Sequence, residues 1–523
     1  MIIGCDLAAF PEQVRPFVVS LHNDVVLLRE ENSRLRRALF SAKSERHYGE
    51  VIEPDGSMFN EAEALAALDE ASAAAQDPNQ PPSPTPVKKP RKRSPESGGR
   101  DPLPPDLPRT RVEFDIPDEQ KICPADGAEL VRIGERVVET LQIKPAEFSV
   151  LQSVYPLYGC DVCNKHMAQA PAVPAALPQA SCDPSLIAYI LEQKFLWGMP
   201  LYRLEQQFAQ MGVEVSRTKL SRWVIAAADA LGDVAYEIKK FILSQPAIHA
   251  DETTVQVLKG TGKKPTSNNY MWTLSSAKGS VPAVWFQHAP SRDKAAAAKL
   301  LEKFQGLLHI DGFEAYSETV ENNGITRVGC WAHARRYFDT AKKDGAAAGK
   351  GLAGEFLDDI QALFLLEREW ESLLPEDRKK ERAERASPIV DKIRKRLDEE
   401  RYKVTPKSKL GGAMTYLANQ WDTLVVFMTD GRAALSNNHM ENHIRPFAVG
   451  RKNWLFADTV RGADASAMLY TLVATARANQ IPVGTYLEWL LKELPKAEAK
   501  PRKGRLDLSP FLPWAFKARA AAT

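Results

Sequence analysis

Residues Pro246–Val257 read PAIHADETTVQV. Apolar and β-branched residues surround Asp251, so the stretch is expected to form a strand with an acid inside it. A carboxylate in such a run is costly unless it is paired or faces a cation. Working outward, Tyr270–Ser275 and Val281–His288 read as the next two strands of an antiparallel meander, and Asp293–Phe304 reads as a helix. Leu307-Leu308-His309-Ile310-Asp311-Gly312 gives a buried strand ending in Asp311. Ile325–Cys330 is a fifth strand that leads into the helix Trp331–Ala341.

Three strands, a helix, a strand, a helix and a strand is the order of a ribonuclease-H-like α/β core, with a five-stranded mixed sheet and helices. In that order a carboxylate within the first strand and one at the end of the fourth lie side by side. Two acids on adjacent strands and one from a helix at the sheet edge can hold two Mg²⁺ about 3.5–4 Å apart. Such a pair clamps the attacking and leaving oxygens of an in-line displacement at phosphorus. A cation also explains how three carboxylates tolerate one another. Two carboxylates doing acid/base work, as in glycoside hydrolysis, are the metal-free alternative.

The third acid is sought in Ser436–Phe456, SNNHMENHIRPFAVGRKNWLF. Ser436 reads as an N-cap, and Asn437, Asn438, Glu441, Ile444 and Arg445 then share one helix face. Pro446 is expected to end the helix. Arg451-Lys452-Asn453-Trp454 follows, cationic and aromatic together. Arg445, Arg451 and Lys452 suit phosphates, and Trp454 suits stacking on an unpaired base. His333, Arg335 and Arg336 offer a second phosphate-binding group. His249 and His309 precede the two aspartates and either orient them, contact phosphate or pack in the core.

The net charge of +2 places any basic surface locally, and 44% hydrophobic residues is ordinary for a globular chain of 523 residues. The sequence contains no signal peptide and no apolar run near the roughly 18 residues needed to span a bilayer. A soluble, cytoplasmic protein is therefore expected. At residues 14–46, Val18, Val25, Asn32 and Leu39 alternate with Val14, Leu21, Leu28 and Leu35 as the a and d positions of a heptad. β-branched a residues with Leu at d favour a two-stranded parallel coiled coil, and Asn32 fixes register. An amphipathic helix packed on its own chain is the alternative. Residues 77–108 contain eleven prolines and the basic run Lys88-Lys89-Pro90-Arg91-Lys92-Arg93, the composition of a disordered linker.

Residues 110–171 form a small cysteine module. Cys160 and Cys163 make a C-x-x-C knuckle suited to Zn²⁺, while the matching half offers Cys123 with Asp126 in place of a second cysteine. Asp126 or His166 would complete the site; a degenerate finger held by a β core around Val137–Val154 is the alternative. Residues 184–245 are helical. A break at Met211-Gly212, with Arg217, Lys219 and Arg222 exposed beyond the cap Ser216, fits a helix-turn-helix or a plain helical hairpin.

The stretches HADETTVQV, HIDGFEAY, GCWAHARRYF and NNHMENHIRPFAVGRKNW resemble the DDE transposases of the insertion-sequence-sixty-six family over nearly the whole chain. The resemblance implies a catalytic domain over 246–470 with a helical insertion at 346–431, and a small C-terminal domain at 475–515. It makes Asp251, Asp311 and Glu441 the acidic triad, binding Mg²⁺ or Mn²⁺. It further implies strand cleavage and transfer on double-stranded DNA with terminal inverted repeats, a homodimer through the coiled coil, small accessory proteins, and association with a bacterial nucleoid. Two positions depart from the family: Asp126, and Gly99-Arg100-Asp101-Pro102 in place of a more basic Gly-Arg-Lys-Pro. A catalytically silent DNA-binding or assembly protein and a metal-dependent nuclease are the rival functions.

Overall fold

The computed structural model describes residues 11–40, 111, 146–159, 167–177, 180, 182–260, 264, 266–344, 351–500 and 504–522. It divides into two units, Asp77–Val150 and the remainder. Of the first, residues 111 and 146–150 are described, without a regular element. The linker and the ligand candidates Cys123, Asp126, Cys160, Cys163 and His166 lie outside the described residues.

In the larger unit, helix α1 (Arg15–Phe40) carries Pro16 in its first turn, where a missing N–H is harmless. Leu21, Leu28 and Leu35 are exposed. The opposite face leans on the protein: Thr405 Oγ1 donates to Asn23 Oδ1 at 2.9 Å, and the Lys409 N–H donates to Glu30. Strands β1 (Leu157–Gly159) and β2 (Met167–Gln169) form an antiparallel pair. Residues 146–154 form no strand, and the rest of the Val137–Val154 stretch anticipated from sequence lies outside the described residues.

Helices α2 (Pro184–Leu191) and α3 (Leu201–Gln210) precede α4 (Arg217–Leu243), capped by Ser216 accepting from the Lys219 N–H. Helix α4 runs for 27 residues and buries Leu231, Val234, Ile238 and Ile242, while Arg217, Lys219 and Arg222 stay exposed in its first two turns.

The main sheet has six strands rather than five. Strands β3 (Ala247–Lys259), β4 (Asn268–Ser276) and β5 (Val284–Ala289) form the antiparallel meander. After α5 (Lys294–Leu301), β6 (Leu307–His309) pairs parallel with β3; after α6 (Ser317–Asn323), β7 (Thr326–Val328) pairs parallel with β6. The spatial order is β5-β4-β3-β6-β7, with β8 (Phe456–Thr459) parallel to the far end of β3. Asp311 lies two residues beyond β6 rather than inside it, because pairing with β3 stops at His249↔His309.

Helix α7 (Trp331–Asp344) leads to α8 (Leu352–Glu369), α9 (Pro375–Glu381), α10 (Ser387–Glu400) and α11 (Lys409–Leu424). These helices form a packed unit. Phe356, Ile360, Leu363, Ile393, Leu397 and Leu417 join Trp331 and Phe338 of α7 in one core. Arg382, fully buried, pairs with Glu367 at 2.6 Å and donates to the carbonyls of Phe427, Asp430 and Ala433. Gly329 allows the insertion to dock at the end of β7: a Cβ there would meet Thr423 Oγ1 at 2.7 Å. Helices α12 (Asn438–Trp454), α13 (Val460–Ala478), α14 (Val483–Glu498) and α15 (Pro513–Ala522) complete the chain. In α14, Tyr486, Leu490 and Leu494 are buried.

Candidate active site

One edge of β3 is paired with β4 from Ile248 to Gln256. The other edge is paired with β6 only from Ala247 to His249 and with β8 only from Gln256 onward. Asp251 sits in the gap between them, and α12 covers that gap with side chains. Asn437 Nδ2 donates to the Ala250 carbonyl at 2.9 Å, and Arg451 Nη1 donates to the Thr254 carbonyl and to Thr253 Oγ1. The buried Ala250 carbonyl must find a donor, and the start of α12 supplies it where no strand does; the Thr254 carbonyl is exposed. Glu441 is held one turn into the same helix.

The helix differs from its sequence reading. Asn437 occupies the N-cap position and no side chain caps it; Ser436 lies one residue outside. Pro446 stands inside the helix rather than ending it. The buried Ile444 and Phe447 on either side hold the helix across the lost backbone donor.

The acids act on one another. Burial pushes the Asp251 carboxyl well above the usual carboxylate range; the Glu252 and Glu441 carboxylates add to this, as does Asp311, against the Glu252 N–H that donates to Asp251 Oδ1 at 2.8 Å. Glu441 is 3% exposed. Burial raises its pKa, His333 and Arg336 lower it, and Asp311 raises it again. Its Oε1 lies 3.6 Å from His333 Nε2 with no hydrogen bond, and its Oε2 accepts from Arg336 Nη2 at 3.4 Å. An orphaned buried carboxylate oxygen among acids that resist ionisation is a donor set suited to a hard cation. Among the described residues, however, no three His, Cys, Asp or Glu side chains converge closely enough to hold a metal ion. The acids stand at Coulombic range without forming a closed cage.

Sequence reasoning passed over Glu252, which alternation along β3 sends to the face opposite Asp251. It accepts from Tyr316 Oη at 2.8 Å and pairs with Arg292. Burial, then the Asp311 charge, raises its pKa against the pull of Arg292. A second acid directly after Asp251 was the available signal.

Behind the acids lies a column of histidine rings. His249 and His309 stack at 4.1 Å, His439 meets His249 at 5.6 Å, and His443 meets His439 at 4.7 Å. His309 Nδ1 donates to the Ile248 carbonyl at 3.1 Å and Nε2 accepts from the Ala434 N–H at 2.7 Å, which fixes a neutral tautomer. Burial pushes its pKa down to about 4. His249 Nδ1 bonds Asn437 Oδ1 at 2.7 Å. As the amide nitrogen is committed to Ala250, the imidazole is the donor. Both rings are buried, so they orient the strands and the helix rather than contact phosphate.

The cationic candidates separate. Lys452 is exposed and Arg445 half-buried on α12. Arg451 is engaged with β3. Arg335 is buried, so Arg336, half-exposed on the next position of α7, is the cation beside Glu441. Trp454 is turned inward: its ring meets Phe447 edge-on at 5.5 Å, with Lys194 Nζ 5.7 Å from its centre. It is not an open stacking platform.

Comparison with known proteins places these features in a wider group. The family model described as "Transposase IS66 family" matches residues 179–465. "Transposase C of IS166 homeodomain" matches 27–112, and "zinc-finger binding domain of transposase IS66" matches 120–164. The uncharacterized protein y4jD of Sinorhizobium fredii (strain NBRC 101917 / NGR234) is 30% identical, covering 97% of this chain and 98% of the relative. The uncharacterized protein y4hP of the same strain is 31% identical over 81% of this chain and 78% of its own length.

Proposed function

The chain belongs to the IS66 transposase family, and we propose that it cuts and joins DNA strands at the ends of an insertion sequence. Asp251, Asp311 and Glu441 form the catalytic triad of a ribonuclease-H-like core in this reading. The observation that supports it is geometric: Asp251 lies on the unpaired stretch of β3 that α12 covers, Asp311 follows β6 on the same edge, and the buried Glu441 Oε1 of α12 has no hydrogen-bond partner. Bound Mg²⁺ or Mn²⁺ would supply Lewis-acid activation of an attacking oxygen and charge stabilisation of the leaving one. The chain's own part is to aim the carboxylates: Asn437 fixes the start of α12 against β3, His309 ties the preceding loop to β6, and Arg336 and His333 face Glu441. Arg336, which donates to Glu441 Oε2 at 3.4 Å and is half-exposed, would also suit a scissile phosphate.

Exposed Leu21, Leu28 and Leu35 support pairing of two protomers through α1, as synapsis of two DNA ends requires. The finger would contact terminal repeats and bind Zn²⁺ through Cys123, Cys160 and Cys163 with Asp126 or His166. Arg217, Lys219, Arg222 and Lys452 are exposed cations suited to phosphate. No helix among the described residues is long and apolar enough to cross a membrane.

The lack of a closed metal cage favours one rival, a DNA-binding protein without catalysis. Asp251→Asn separates the two. Mg²⁺-dependent strand transfer on duplexes carrying the element ends is expected to fall by at least about a thousandfold, with end binding in a gel-shift assay retained. Full strand transfer by the variant would refute the triad. Absence of strand transfer by the wild type, with its accessory proteins supplied, would favour the silent protein.

A further inference from the structure

Leu455 joins α12 to β8 with φ 62° and ψ −52°. This is the geometry of a strained γ-turn, rare outside glycine and costly for a branched side chain. Burial does not compensate, because Leu455 is 61% exposed. The strain is imposed from both sides. The Leu455 N–H closes the last turn of α12 onto the Arg451 carbonyl at 2.8 Å, and Arg451 grips Thr253 and Thr254. One residue later Phe456 is already paired with Gln256 of β3. The chain passes from helix to strand in a single residue, and the side chain there is large, apolar and presented on a rigid base. Glycine would meet the backbone demand at lower cost.

The surroundings indicate what such a side chain meets. Val449 and Phe456 are also exposed, and Lys452 projects from the same helical turn. The nearby Asp458 is neutralised by Lys259 at 2.7 Å. Gln256 stands five residues beyond Asp251 on β3, about 16 Å along the strand. That is about five nucleotides along a duplex at 3.4 Å each. An apolar projection beside a cation, at that distance from a strand-cutting site, has the chemistry of a side chain that enters between base pairs.

We propose that Leu455 is a wedge that unstacks one base step of the bound duplex close to the cleavage site, with Lys452 on an adjoining phosphate. The proposal rests on the DNA-end reading and adds a contact to it. Its test uses the full-length chain and a duplex carrying the inverted repeat from the border of its own element, with 2-aminopurine replacing adenines one at a time. Wild-type protein is expected to raise the fluorescence severalfold at one step. L455A loses that rise while its affinity stays within about tenfold; L455F and L455M retain it. L455G controls for folding: it relieves the backbone, so its melting temperature rises although the fluorescence signal is lost. A rise that survives in both L455A and L455G, or no rise anywhere on a bound wild-type duplex, overturns the wedge. A changed oligomeric state in L455A with an unchanged fluorescence signal makes the patch a protein contact and also overturns it. If the wild type fails to bind the duplex at all, the DNA-end reading itself fails.

Discussion

Both ends of α12 meet the same edge of β3, and they do so with different chemistry. At the N-terminal end the contacts to β3 and β6 run through uncharged groups, most of them buried. Asn437 bridges the Ala250 carbonyl and His249, its N–H lies 3.1 Å from Cys330 Sγ, and Ala434 bonds His309. At the C-terminal end a guanidinium makes the contact, Lys452 faces solvent, and Leu455 is exposed and strained. One end has the character of a core and the other that of an exposed surface. A helix so held can keep Glu441 fixed at its first turn while offering its last turn to a large ligand. Rigidity and exposure are separated along one element about 25 Å long.

The largest test of this contrast lies remote from both ends. Arg382 anchors the carbonyls of Asp430 and Ala433, just before the loop residue that bonds His309. Removing it strands Glu367 and three carbonyls in the insertion core. Arg382→Ala is expected to cost about 3–5 kcal/mol in urea unfolding. A loss below 1 kcal/mol would mean that the insertion does not brace the N-terminal end.

Acid should loosen the same end. His309 has a folded pKa of about 4 against 6.5 when unfolded, so between those values the unfolded chain binds more protons. Stability from this group is complete above pH 6.5 and is lost as pH falls towards 4, about 2 kcal/mol of it between pH 8 and pH 5. His249, His439 and His443 are lowered as well and act in the same direction. Asp251, Glu252 and Glu441 are raised, so they oppose the loss: their protonation favours the folded state as pH falls. Denaturation midpoints at pH 8 and pH 5 should therefore differ more in Glu441→Gln than in the wild type. An equal difference in the two proteins would remove Glu441 from this balance.

Asn437→Ala deletes the bridge but leaves the histidine pair and the Ala434 contact. About 1–2 kcal/mol of stability should go, with the Ala250 carbonyl left unsatisfied. Strand transfer measured on fully folded protein should fall further than binding to DNA ends, since Glu441 loses its placement. Equal losses in the two assays would make Asn437 a purely structural residue. Lys452→Ala, at the other end, should leave stability within about 0.5 kcal/mol. Its signature is electrostatic: the slope of log affinity for duplex DNA against log salt should decrease by about 1.

Much of the candidate site could be read along the chain, for a local reason. Asp251 within a β-branched run and Asp311 after a buried strand stand out because burial of an acid is locally improbable. The helix Asn438–Trp454 was visible in its spacing, although Pro446 misled about its end: Phe447 and Ile444 pack well enough to carry the helix across it. The roles of the cations were not legible. Arg335 and Arg336 are adjacent in sequence, yet one turns inward and the other faces Glu441. Trp454 next to Lys452 suggested a stacking platform, whereas Phe447 and Tyr470 draw its ring inward.

The chain's own pattern therefore determined its family, the existence of an acid-bearing mixed sheet and the helical character of the insertion, because hydrophobic period and rare buried acids are local signals. Tertiary structure alone decided the open stretch of β3 edge that α12 covers, the histidine column behind the acids, and the exposed turn at Leu455. Each of these depends on partners tens to nearly two hundred residues apart. No spacing rule encodes which distant carbonyl a side chain will satisfy; that follows from which edges remain unpaired after the strands have met.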